Sequence, residues 1–306
     1  VGLDPGTLAA ALTHARALGF GTVAVSGGEP LLWPALPEVL GHARALGMRV
    51  TVTTNGTLLR GRRLAALCEV ADAVALSVDG PPELHDTVRA RPGAFRRLAD
   101  GLLRLRETGV PFGIIHTLTE RSWPHLPWVA DFAAEQGAAL LQLHPLELAG
   151  RAATAMPGDA ARQDTLGRAF LVSQALAADF AGRMNVQLDL VLRQDLLADP
   201  ARFLMDGGPE HLRTLVVEPD GAVVPVTYGL DRAYAIANLA DESLADGWAR
   251  WATAGWPALQ ALGREVVDAI AAAPNQRVVE WHALLLRQSL TGRRANPPSG
   301  RPLPGQ

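Results

Sequence analysis

Along the first half of the chain one phrase of apolar and polar positions repeats. Amphipathic stretches of helical period end in glycine, and a short β-branched or aliphatic run follows almost at once. Ala17-Leu18-Gly19 precedes Thr22–Val25, Ala45-Leu46-Gly47 precedes Arg49–Thr53, Thr108-Gly109 precedes Phe112–Ile115, and Gln136-Gly137 precedes Ala139–Leu143. Glycine closes a helix in the left-handed conformation, and a short apolar run suits a strand covered on both faces. A fifth run, Ala73–Val78, follows a helical pattern over Leu58–Val70. Strands starting near 22, 49, 73, 112 and 139, each separated by a helix, spell a βα repeat: a parallel α/β sheet with right-handed crossovers, either closed or open.

The phrase is lost in the second half. After the loop 150–158 the pattern predicts one or two Ala/Leu-rich helices to Gly182, a possible strand over Asn185–Val191 and a helix ending near Leu204. Thr214–Glu218, Pro219-Asp220-Gly221 and Ala222–Val224 then read as a β-hairpin, because Pro-Asp-Gly supplies turn geometry. Two further helical stretches lead to Gly292, and the Pro-, Gly- and Arg-rich 293–306 reads as a disordered tail.

Composition narrows the classes. The chain has 306 residues, 48% hydrophobic and 19% charged, with a net charge of −3. That is enough to bury a large core, and it gives no general attraction to nucleic acid or anionic membrane. No apolar run is long enough for a membrane span, and Val1-Gly2-Leu3-Asp4-Pro5 lacks the order of a signal peptide, so the expected compartment is the cytoplasm. All 28 basic residues are arginines. The single cysteine, Cys68, lies on a helical apolar pattern and reads as a small buried hydrophobe, which excludes a multi-cysteine metal site within these residues.

In parallel βα architectures the loops after the strands form the functional face. Those ends read Ser26-Gly27-Gly28-Glu29-Pro30, Thr53-Thr54-Asn55-Gly56-Thr57, Ser77-Val78-Asp79-Gly80, His116-Thr117-Leu118-Thr119 and Leu143-His144-Pro145-Leu146-Glu147. Every one offers hydrogen-bonding side chains. Two glycines let a ligand approach the backbone, and the acid just beyond them suits an ammonium group; a tight turn with a solvated Glu29 accounts for the same residues.

The order Val23–Leu32, Thr53–Leu59, then Ser77-Val78-Asp79-Gly80 with His85-Asp86 and Arg89 resembles the radical S-adenosylmethionine (SAM) superfamily. The likeness is to its peptide- and protein-modifying branch, which often carries a SPASM or twitch extension, and it spans roughly residues 1 to 152. Leu143-His144-Pro145-Leu146 with Gly150-Arg151-Ala152 fits that branch too. The resemblance implies a TIM-like partial (βα)6 barrel over 1–152, a helical connection over 153–212, a degenerate SPASM/twitch-like hairpin over 213–250 and C-terminal helices over 251–292. It implies that Gly27, Gly28 and Glu29 receive the amino group of SAM, with Glu29 as the charged partner and Ser26 also in the cofactor-binding set. Ser77 and Arg89 would meet the ribose or carboxylate, although Arg89 alone equally reads as a surface residue. Thr54, Asn55, Asp79, His116 and His144 complete the expected cofactor-binding set, Asn55 and Asp79 as the pocket floor.

The chain also departs from the family's pattern. Members hold a [4Fe-4S] cluster on three cysteines spaced C-x3-C-x2-C after the first strand, and Cys68 cannot supply them. Asp4 and Pro5 read as the cap and first turn of the first crossover helix, so the first strand and the cysteines are expected upstream of Val1. Val226 follows Pro225 where the family has cysteine, so no auxiliary cluster is expected. Three readings result. One is a radical SAM enzyme that needs an upstream segment and an external electron donor, acts on a peptide or protein through a 5′-deoxyadenosyl radical, and is inactive as these 306 residues. The second is a degenerate, non-catalytic barrel that binds SAM or a peptide. The third is a zinc hydrolase built on His116, His144 and Glu147. No catalytic residue is assigned: Asp86, Asp189, Glu147 and Glu218 are candidates by type only.

Overall fold

The glycine-to-strand phrase forms as written in a computed structural model that describes residues 3–148, 156, 158–204 and 207–291. Gly137, for example, closes the helix before it at φ 83°, its N–H returning to Ala133 and Ala134 carbonyls. The described chain divides into two units, Asp4–Val191 and Leu192 onward with the first residues.

In the first unit α1 (Pro5–Ala17) starts where the Asp4 carboxylate accepts the Thr7 N–H at 2.9 Å. There follow β1 (Thr22–Val25), α2 (Leu36–Ala45), β2 (Arg49–Thr54), α3 (Gly61–Val70), β3 (Ala73–Ser77), α4 (Pro82–Val88), α5 (Ala94–Glu107), β4 (Phe112–Leu118), α6 (Leu126–Gln136), β5 (Leu140–Pro145), α7 (Gln163–Asp179) and β6 (Asn185–Leu188). The six strands are parallel and lie in sequential order, β1-β2-β3-β4-β5-β6. Five were expected; the possible strand near 185 pairs in parallel with β5, Leu141 opposite Val186. The parallel sheet therefore continues past residue 152, and the boundary drawn there falls among residues outside the described ones, as do Gly150-Arg151-Ala152 and the tail 293–306.

Sequential order with right-handed crossovers puts every connecting helix on one face of the sheet. Helices α2 and α6 pack on β2, β4 and β5 there. Register ladders carry the consequence across the strands: Val25, Val52, Val74 and Phe112 align on the helix side, as do Leu76, Ile114, Leu141 and Val186. Their burial anchors the fold, each fully buried aliphatic side chain contributing about 1.5–3 kcal/mol of transfer free energy. The other face carries Ala24, Thr51, Thr53, Ala75, Ser77, Gly113, Ile115, Gln142 and His144, small or polar apart from Ile115 and mostly half-buried. No helix of this unit covers it, among the described residues.

In the second unit the predicted hairpin forms. Leu215–Val217 pairs antiparallel with Ala222–Pro225, Val216 opposite Val224, and Ala237–Asn238 adds a third strand. Gly221 takes φ 90° in the turn. Val226, where the resemblance leads one to expect cysteine, lies at φ 68°, and the Thr227 N–H reaches back to the Pro225 carbonyl at 2.8 Å. That is a tight three-residue turn, costly for a β-branched side chain. Instead of the helix expected to end near Leu204, a short helix Arg193–Ala198 and a 3-10 turn Pro200–Arg202 occur. Three helices, rather than two, follow the hairpin: Leu244–Ala254, Trp256–Ala271 and Trp281–Thr291.

Candidate functional site

The loop after β1 is built around one carboxylate. Glu29 Oε1 accepts the Thr54 hydroxyl at 2.7 Å and the Leu31 N–H at 3.2 Å, while Oε2 accepts the Asn55 N–H at 2.9 Å. These bonds tie the loop after β1 to the end of β2. A carboxylate offers about four lone-pair directions, and three are occupied, so one remains for a cation. Gly27 needs its missing Cβ, since it lies at φ 116°. At Gly28 neither the backbone nor packing requires glycine: a Cβ there would meet no atom within 4 Å.

Thr54 and Asn55 enter the site indirectly. The Thr54 side chain is buried, and its hydroxyl also accepts the Gly56 N–H at 3.1 Å. The Asn55 Oδ1 folds back to accept the Thr57 N–H at 2.9 Å and the Thr57 hydroxyl at 2.7 Å, so Asn55 offers Glu29 its backbone rather than its amide. Both residues position Glu29.

After β3 the chain supplies a buried acid. Asp79 is 4% exposed, and the Arg89 guanidinium grips it with two bonds, Nε to Oδ2 at 2.6 Å and Nη2 to Oδ1 at 3.2 Å. This forked geometry is the strong form of an arginine–carboxylate pair. His85, 1% exposed, lies against it: its Nδ1 accepts the Asp79 N–H at 3.2 Å and sits 3.3 Å from Oδ2. Burial lowers the His85 pKa below the ordinary histidine value, with Asp79 opposing that shift. Arg89 is thus an exposed residue whose guanidinium is tied to a buried acid. Ser77 lies two residues earlier, on the helix-free face, in the same row as Ile115, Gln142 and Gln187.

His116 corrects the expected site. It follows β4's period of two onto the helix side and is fully buried, its Nδ1 2.9 Å from the Val78 carbonyl and its Nε2 3.1 Å from the Ser122 hydroxyl. Desolvation there lowers its pKa to about 4, with the Val78 carbonyl bond opposing. His144, aligned with Thr117, sits on the opposite face of the sheet. The two histidines thus diverge, which overturns the zinc reading; among the described residues no three His, Cys, Asp or Glu side chains gather for a metal. Three of the four acids considered as bases, Asp86, Glu218 and Asp189, find structural partners. Asp86 accepts the N–H groups of Gly93 and Phe95 at the start of α5, and those bonds, the Phe95 one first, lower its pKa. Glu218 is buried, paired with Arg232 at 2.5 Å and with the Gly229 N–H at 2.6 Å. Asp189 accepts the Gln142 amide at 3.1 Å.

Reading strand ends alone missed His85 and Gln142. Strict alternation along β5 marks Gln142 as facing the same way as His144, a signal available in the sequence. His85 stands in the sequence beside Asp86 among the residues that carry the resemblance, but its short helix gives no sign that it is buried against Asp79.

Residues 2–133 match the family described as the Radical SAM superfamily. An AdoMet-dependent heme synthase of Oleidesulfovibrio alaskensis is 33% identical over 133 residues, covering 43% of this chain and 34% of that protein. A PqqA peptide cyclase of Ruegeria pomeroyi is 28% identical over 235 residues, covering 73% of this chain and 59% of its own length. The chain thus spans roughly a third of the first relative and under two thirds of the second. Among solved structures, Streptococcus suis SuiB bound to S-adenosylmethionine superimposes with a TM-score of 0.65 at 17% identity, over 85% of this chain and 61% of that one; this supports the fold. Residues 2–133, with their sequential parallel strands and the glycine–acid loop after β1, are thus similar to the Radical SAM superfamily.

Proposed function

We propose that this chain binds SAM at the C-terminal edge of β1–β3 and presents a peptide or protein side chain to it across the helix-free face. The single observation that carries the reading is the Glu29 clamp, a carboxylate fixed by three bonds beside a glycine that nothing in the protein requires to be glycine. In this reading the loop Ser26-Gly27-Gly28 approaches the methionyl amino group and Glu29 answers its charge. Ser77 and Arg89 take the ribose or carboxylate, with Asp79 orienting the guanidinium. His144 faces the substrate side.

A [4Fe-4S] cluster does not fit the residues present. It needs three thiolates, and the 306 residues contain one cysteine, Cys68, near the C-terminal end of α3. No step through a cluster is derived for this chain, and its own residues supply binding and orientation.

Peptide is preferred to tetrapyrrole as the substrate class because of coverage. The heme-synthase and Fe-coproporphyrin III synthase matches of 130 to 142 residues reach 42–46% of the chain, whereas the peptide-cyclase match reaches 73%. Calorimetric titration tests both parts. SAM is expected to bind the chain, and Gly28→Ala to weaken it by at least about tenfold while leaving thermal stability intact, since a Cβ there is sterically free in the unliganded protein. Iron coproporphyrin III is expected to leave its Soret band unmoved. Absence of SAM binding contradicts the first part, and a stoichiometric Soret shift contradicts the second.

A further inference from the structure

We propose that His85 is a positioning residue of the SAM site, holding Asp79 so that Asp79 in turn fixes the Arg89 guanidinium; this rests on the reading of Arg89 as a ligand contact. The Asp79 N–H donates to Nδ1 at 3.2 Å, which places the ring proton on Nε2 and leaves the imidazole neutral. A neutral ring with its lone pair turned to Asp79 cannot also neutralise Oδ2, 3.3 Å away. The carboxylate charge is answered by the Arg89 fork, through bonds of 2.6 and 3.2 Å.

The imidazole has no room to act otherwise. It is 1% exposed and packs edge-on against Phe95, ring centroids 5.7 Å apart. Its own carbonyl accepts the Arg89 N–H at 2.9 Å, so one residue touches the acid through its ring and the arginine through its backbone. Burial keeps the ring neutral, consistent with its lowered pKa. Its geometric product is a rigid Asp79–Arg89 pair.

Equilibrium dialysis with SAM on the full chain tests the assignment. His85→Leu is expected to weaken SAM by at least about tenfold in the wild-type background and to have no further effect in an Arg89→Ala background, the non-additivity of residues acting as one unit. His85→Asn, whose Oδ1 can accept the Asp79 N–H, is expected to stay within about threefold. A second readout needs no SAM: the Arg89 Nε–H resonance, assigned by its loss in Arg89→Lys, is expected to be protected from exchange in the wild type and in His85→Asn and exposed in His85→Leu. Failure of the wild type to bind SAM would sink the ligand reading while the resonance still decides His85. An unchanged Arg89 signal in folded His85→Leu, or equal weakening with and without Arg89, overturns the proposal. Should His85→Leu not fold, loss of the signal in folded His85→Asn overturns it.

Discussion

Two histidines one strand apart show how much a single side chain's parity decides. His144 and Ser77 point to the helix-free face, and the sequence placed both at strand ends where a ligand could reach them. His116 was read the same way, yet it sits one step out of phase and is sealed under the helices. Its burial has a measurable consequence. The folded pKa of about 4 lies below the ordinary value of 6.5, so between these values the unfolded chain binds more protons and stability falls as pH falls. From pH 7 to pH 4 the loss from this group is on the order of 3 kcal/mol, and it levels off below the folded value. Denaturant melts across that range should show the slope in the wild type and a reduced slope in His116→Gln. Glu29, Gly27 and Asp79 stand out in the sequence because each lies in a polar loop directly after an apolar run. The clamp on Glu29 does not, because Thr54 and Asn55 lie 25 and 26 residues away and meet it only through strand pairing.

At the scale of elements, glycine-terminated helices and β-branched runs were enough to place β1–β5, and the alternation within each strand sorts its two faces. The sixth strand was harder to place, since Asn185–Leu188 carries two polar residues and its partner is set by the crossover through α7. Helix α5 illustrates a contact no local pattern contains. A Cβ at Gly101 would stand 2.2 Å from the Gly56 carbonyl oxygen, so this helix closes directly on the turn that follows β2. Gly101→Ala should therefore destabilise the protein by about 1–3 kcal/mol despite alanine's better helix propensity, a sign that chemical denaturation reads directly. Stabilisation instead would mean that α5 does not sit this close. Asp86 begins the same helix by accepting the Gly93 and Phe95 N–H groups, which turns a residue first considered as a base into a cap.

At the scale of the molecule, the parallel unit Asp4–Val191 and the unit beginning at Leu192 answer different questions. The first carries the family match and the candidate site; the second carries the three-stranded sheet, beside which the buried Glu218 pairs with the exposed Arg232 a few residues from the strained turn at Val226. No helix among the described residues is long and apolar enough to cross a membrane. The peptide-cyclase relative covers 73% of the chain and the first heme-synthase relative 43%, which is why substrate class is argued from coverage rather than identity. Amide hydrogen exchange with and without SAM addresses the central claim most directly. SAM should slow exchange in the loops 26–29, 53–57 and 77–80 and leave the helix Trp256–Ala271 unchanged. Binding that leaves those three loops unprotected, or that protects only the second unit, would contradict it.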